Sequence, residues 1–138
     1  MSAIVSTIEI ARPPDEVFAY VTDPARFPEW QLDVVRVQVS GSRFTTTRRI
    51  GRAERTMTQE ITEVDAPRTW AARGIDGPVR PNASVRVEPD GQTGSRVTFA
   101  LDFQGRGIGR LLVPLVVRPM AAKGAPVSYR RLKERLER

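Results

Sequence analysis

The chain has 138 residues, 40% of them apolar and 28% charged, the balance of a folded domain and not of a disordered segment. It contains neither cysteine nor histidine, which excludes disulfides, thiolate nucleophiles and imidazole as base or metal ligand. The net charge of +6 rests on 20 Arg and 2 Lys scattered along the whole length, and no apolar run reaches the ~18 residues that cross a bilayer.

The first element in chain order is a short apolar strand, Ile4 to Ile10. Pro13-Pro14 cannot extend a ladder but suits a helix entry. Asp15 and Glu16 then lie at the positive end of a helix that turns Val17, Phe18 and Val21 inward. Asp23-Pro24 starts a second short helix, Asp as cap and Pro in the first turn, with Phe27 and Trp30 on its apolar side.

Val35, Val37 and Val39 alternate with Arg36 and Gln38 as a half-buried strand. A two-residue loop at Gly41-Ser42 sets Val39 opposite Phe44, Val37 opposite Thr46 and Val35 opposite Arg48. A turn near Arg52-Ala53 sets Arg48 opposite Met57, Thr46 opposite Gln59 and Phe44 opposite Ile61. Both hairpins put Phe44, Thr46, Arg48 and Ile50 on one inward face, which a one-residue slip would reverse. Pro67 ends the next strand, and Thr69 to Ile75 is a fifth strand containing Trp70. Gly77-Pro78 and Pro81 form a loop. Ala83, Val85 and Val87 alternate in a sixth strand, and Val97, Phe99, Leu101 and Phe103 in a seventh.

From Gly109 onward the period is helical. Leu112, Val116 and Met120 recur every fourth residue, and Ala125, Tyr129, Leu132 and Leu136 continue the stripe. Pro114, Pro119, Gly124 and Pro126 predict kinks, or a broken first half with a regular helix from about Pro126. The first half is apolar nearly all round, so it needs cover on a second side.

Polar residues on the inward sheet face are few: Ser6, Asp33, Thr46, Arg48 and Gln59. Asp33 is placed opposite Ile50, a diagonal neighbour of Arg48, and a buried charge demands a partner, so an Asp33–Arg48 ion pair is expected. Such a cluster can be purely structural, or it can orient a ligand carbonyl or stabilise an enolate. Tyr20, Tyr129, Asp33 and Arg48 are the only interior candidates for acid, base or electrophile. The arginines around the second hairpin (Arg43, Arg49, Arg52, Arg55) read as solvated charge, since no exposed aromatics interleave with them to stack bases. Gly105-Arg106-Gly107-Ile108-Gly109 lacks the Lys-Ser/Thr of a phosphate loop.

Two stretches, IARPPDEVFAYVTDPARFPEW and ITEVDAPRTW, resemble the polyketide cyclase/dehydrase group of the START-like (SRPBCC, birch-pollen-allergen-like) superfamily, and the similarity runs through nearly the whole chain. The resemblance implies one START-like domain over 1–138 with an α+β helix-grip fold. In it a seven-stranded curved antiparallel sheet, with two short helices after strand 1, holds a long C-terminal helix over its concave face. It also implies an internal cavity for a hydrophobic small molecule, aromatic, polyketide-like or lipid. The alternative function is a cofactor-independent cyclase or dehydratase acting in that cavity, with Arg48 as electrophile and Asp33 or a Tyr as base. The expected lining is Trp30, Phe44, Thr46, Arg48, Met57, Gln59, Trp70, Phe99, Phe103, Leu112, Val116 and Met120. No cofactor or metal is implied, and nucleic acid is a disfavoured partner. A homodimer through Leu111 to Val117 is a further option, and the cytoplasm is the default location.

Overall fold

The computed structural model describes residues 3–138. Seven strands form one antiparallel sheet in the order β1-β7-β6-β5-β4-β3-β2, so β1 (Ile4–Ile10) and β2 (Val34–Ser40) are its edges. Between them in sequence lie α1 (Pro14–Val21), a single 3₁₀ turn (Pro24–Arg26) and α2 (Phe27–Trp30). The other strands are β3 (Arg43–Ile50), β4 (Ala53–Asp65), β5 (Thr69–Asp76), β6 (Val79–Asp90) and β7 (Gly94–Gly105). The sheet bends into a half-barrel around the C-terminal helix, the helix-grip arrangement.

Local chemistry accounts for the entry helices. Pro13 precedes α1 in extended conformation and Pro14 opens it, while Val17, Phe18 and Val21 are buried. The Asp23 carboxylate accepts the Ala25 N–H at 3.1 Å, capping the turn that leads to buried Phe27 and Trp30. One ionic knot ties these helices to the chain end. Tyr20 donates to Glu29 at 2.7 Å, and Arg135 donates to both of them at 2.8 and 3.2 Å.

The first hairpin keeps the expected pairs Val39–Phe44 and Val37–Thr46 around a Gly41 with φ of 60°. Beyond Arg36 a β-bulge intervenes: Val34, not Val35, pairs with Arg48. The extra residue reverses the alternation, so Val34 is buried and Val35 is 40% exposed, and the inward placement of Val35 is corrected. In the second hairpin Gly51, at φ 64°, takes the left-handed turn position and Ile50 pairs with Ala53. The turn therefore lies one residue earlier than expected. Thr46 faces Met57 and Phe44 faces Gln59, while Arg48 faces Arg55. A shift of two residues conserves side-chain direction, so Phe44, Thr46 and Ile50 are still buried on the inner face. Two further irregularities in β4, at Thr58/Gln59 and Ile61/Glu63, add to the bend.

Pro81 belongs to β6, not to a loop. The β5–β6 ladder ends at the pair Arg73–Asn82, so the missing N–H of Pro81 breaks no rung there. Its carbonyl instead accepts from Gln59 at 3.2 Å.

The C-terminal segment is helical throughout, correcting the expectation of a broken first half. It comprises α3 (Gly109–Leu112), a π-helical turn (Val113–Val117) and α4 (Arg118–Leu136). The wider turn, closed by Arg118 N–H on the Val113 carbonyl, contains Pro114 and delivers Pro119 to the first turn of α4, where a proline is tolerated. Pro126 alone lies in the helix interior. Ala125, Tyr129, Leu132 and Leu136 pack on the sheet with Val17, Phe18, Phe27 and Trp30. Val113 and Val117 form a second cluster with Ile50, Met57 and Val79. Among the described residues no helix is long and apolar enough to cross a membrane.

Candidate functional site

Where the two clusters meet, sheet and helix do not close. A cavity of about 180 Å³ remains, comparable to the ~150 Å³ apolar cavities that take up benzene. Its walls come from four directions. The inward parity of β3 and β4 contributes Phe44, Arg48, Met57 and Gln59; β5 and β7 contribute Trp70, Phe99 and Phe103; α2 supplies Trp30; and α4 supplies Met120, Ala121, Gly124 and Tyr129. Ala121 and Gly124, the smallest of these helix residues, leave the space that a larger side chain would fill.

Aromatic rings set the shape of the wall. Tyr129 stacks on Phe99 with centroids 4.1 Å apart and planes within 10°, and Trp30 leans on both at 6.3 and 5.9 Å. Phe27 packs edge-on to Trp30, Phe44 and Trp70. The segment 31–33, between α2 and β2, also lines the cavity and is latched to α4 by the Leu32 N–H donating to Ser128 Oγ at 2.9 Å. Leu32 on this segment and Met120 on α4 both line the cavity and are exposed, 54% and 38%.

Polar groups gather at one side. The Arg48 side chain is only 17% exposed; Nη1 donates to Asp33 at 3.0 Å and Nη2 to Gln31 at 2.8 Å. The expected ion pair is therefore present, although Asp33 precedes β2 and its carbonyl accepts from the Arg49 N–H instead of pairing with Ile50. The Nε–H of Arg48 and the Nε1–H of Trp30 are buried with no acceptor among the described residues. Orphaned donors of this kind are rare in folded chains, and both residues that carry them line the cavity. Burial pushes the Tyr129 hydroxyl up to about 12, the nearby Arg48 charge opposing part of that shift.

The raised pKa of Tyr129 makes stability depend on pH in the alkaline range. The folded chain favours the neutral phenol, so this contribution to stability is complete below pH 10.0 and is lost as pH rises through about 12. Wild type is expected to lose roughly 2–3 kcal/mol from this source across that interval, and Tyr129→Phe to be spared it. Urea unfolding below pH 10 and near pH 12 measures the difference; parallel losses in both proteins would contradict the assignment.

Of the expected lining, Trp30, Phe44, Arg48, Met57, Gln59, Trp70, Phe99, Phe103 and Met120 face the cavity. Thr46 does not: it is fully buried in the sheet, its hydroxyl directed at the Met57 carbonyl at 3.5 Å. Leu112 and Val116 pack on the second cluster, because the π turn rotates their stripe away from the hollow. Tyr20 is spent on Glu29 and Arg135, outside the cavity. Sequence reasoning missed Gln31, Ser128 and the small residues Ala121 and Gly124. Only the last two left a signal, as small residues on the helix stripe. Among the described residues no three Asp or Glu side chains gather as a metal site would require.

A family model described as polyketide cyclase / dehydrase and lipid transport matches residues 1–137. Solved structures of the same shape include a START superfamily protein from Mycobacterium smegmatis, at 14% identity and a TM-score of 0.80 over 99% of this chain and 98% of that one. They also include the Zhui aromatase/cyclase from Streptomyces sp. R1128, at 15% identity and 0.79 over 99% and 93%. A third is the protein TTHA0849 from Thermus thermophilus, at 20% identity and 0.79 over 97% and 96%. At these identities the likeness is one of fold. No curated protein matches the sequence.

Proposed function

The chain belongs to the polyketide cyclase / dehydrase and lipid transport family, and on that premise we propose that its cavity binds and carries an apolar small molecule bearing an oxygen acceptor. The observation that carries this reading is the aromatic-walled hollow, lined by the two residues whose buried donors are unpaired, Trp30 (Nε1–H) and Arg48 (Nε–H). An apolar body satisfies the rings, and a carbonyl or hydroxyl oxygen satisfies a donor. The charge balance favours a neutral guest. Asp33 already neutralises Arg48, and Tyr129 stays protonated at ordinary pH.

The carrier reading is preferred to catalysis because the wall offers no poised base. Asp33 is engaged by Arg48, Tyr129 is far too weak an acid to ionise near neutrality, and Gln59 is spent on Pro81. One observation favours the second reading, a cofactor-independent cyclase or dehydratase: buried donors are also what a developing enolate oxygen needs.

Native mass spectrometry of protein purified from its own host separates the two. A carrier is expected to show a bound organic mass, recovered unchanged after incubation with fresh protein, whereas loss of water from it would identify the dehydratase. An unliganded mass that α-tetralone at millimolar concentration fails to shift would sink both.

The donors can be tested singly. Arg48→Met keeps the apolar stem and removes the guanidinium, leaving Asp33 partly solvated. It is expected to weaken α-tetralone about tenfold, the worth of one charge-assisted hydrogen bond, and to leave its carbonyl-free analogue tetralin unaffected. Titration calorimetry with both ligands reads this, and equal losses for the two would show that Arg48 only supports the wall.

A further inference from the structure

The outer face of the C-terminal helix has a composition that the cavity does not explain. Ile108, Leu111 and Leu115 are 59%, 64% and 71% exposed, successive on one side of α3 and the π turn. No acidic residue occurs between Asp102 and Glu134, while Arg106, Arg110, Lys123, Arg130 and Arg131 are all exposed in that interval. None of these five cations has a carboxylate partner among the described residues; Arg118, by contrast, is held by Asp102 at 3.2 Å. On the sheet the pattern is different, with Arg36, Arg43 and Arg96 each facing a carboxylate.

We propose that this face docks on an anionic bilayer surface, Ile108, Leu111 and Leu115 entering the headgroup–acyl boundary and the five cations meeting lipid phosphates. A bare apolar ridge would suit a second copy of the chain equally well, but a ridge flanked by unpaired positive charge repels its own copy across a two-fold contact and attracts an anionic leaflet. Each cation close to such a leaflet strengthens binding by about fivefold. The same helix presents Val117, Met120, Ala121 and Gly124 to the cavity, so docking brings the exposed rim at Met120 to the membrane. An apolar guest then passes between bilayer and cavity without crossing bulk water.

Vesicle flotation tests the proposal independently of the cavity ligand. Wild type is expected to float with vesicles of equal parts phosphatidylcholine and phosphatidylglycerol and to stay behind with phosphatidylcholine alone. Raising salt from about 0.1 to about 0.5 M is expected to weaken the association. Leu111→Asp/Leu115→Asp is expected to lose at least tenfold in binding while keeping its affinity for α-tetralone, and Val64→Asp, an exposed valine on β4, to change nothing. If the double variant folds poorly, Arg110→Glu/Lys123→Glu replaces it with the same expectation. Equal flotation on both lipids, or full binding by these variants, overturns the proposal. So does a wild-type dimer that the Leu111→Asp/Leu115→Asp change converts to monomer, or binding to duplex DNA with none to vesicles.

Discussion

Ala121→Phe is expected to abolish binding of α-tetralone, at least a hundredfold loss, while the protein stays folded. Ala121 lines the cavity from α4, and its methyl leaves open the space that a guest would fill. A phenyl ring from that position enters the hollow and meets the Trp30, Phe99 and Tyr129 surfaces, so it supplies the contacts that the guest would otherwise make. Strain of about 1–3 kcal/mol accompanies any added bulk in a packed region, but here the added volume goes into empty space and the net stability change is expected to be small. Calorimetric titration beside urea unfolding reads both quantities. Unchanged affinity in a folded variant would show that the guest site lies elsewhere.

Gly109→Ala is expected to have the largest effect on stability. Gly109 opens α3 where β7 ends, and a Cβ there would overlap the backbone carbonyl of Pro78, which already accepts the Arg106 N–H at 2.8 Å. A Cβ at Gly105 would likewise overlap the Gly109 carbonyl. The obstacle is main chain on both sides, so no flexible side chain can yield, and relief requires displacing the whole helix start from the β5–β6 turn. The expected loss exceeds the ~1–3 kcal/mol of ordinary overpacking. Gly107→Ala is the comparison: its φ of 59° adds strain, but nothing lies within 4 Å of the added methyl, so its cost should be smaller. Urea unfolding of the two variants gives the ranking, and a Gly109→Ala change within ~0.5 kcal/mol of wild type would contradict the joint described.

That joint marks where the sequence is hard to read. Gly105-Arg106-Gly107-Ile108-Gly109 has the look of a loop motif, and only long-range packing on Pro78 reveals its purpose. Features whose causes are local were legible: the prolines that open α1 and α2, the Asp23 cap of the turn between them, and the period of two along β3 that buries Phe44, Thr46 and Ile50. That period survived a two-residue register error because side-chain direction repeats every second residue. The bulge that exposes Val35 left no such local trace, since Val34 to Val39 read equally well as one unbroken alternating strand. The Asp33–Arg48 pair formed despite it because a guanidinium reaches across a rung. Leu112 and Val116 were misplaced for a related reason. A π turn inserts one residue into the helical period, which shifts the stripe and leaves Met120, Gly124 and Tyr129 to face the cavity.

The claim beneath all of this is that the space between the aromatic wall and α4 admits a guest. A crystal structure of the protein soaked with α-tetralone tests it most directly. Density for the ligand is expected between Trp30, Phe99 and Tyr129, its carbonyl oxygen within ~3 Å of Arg48 Nε or Trp30 Nε1. A structure in which side chains from α4 and β7 close the hollow, with the ligand absent or bound only on the outer surface, would contradict it.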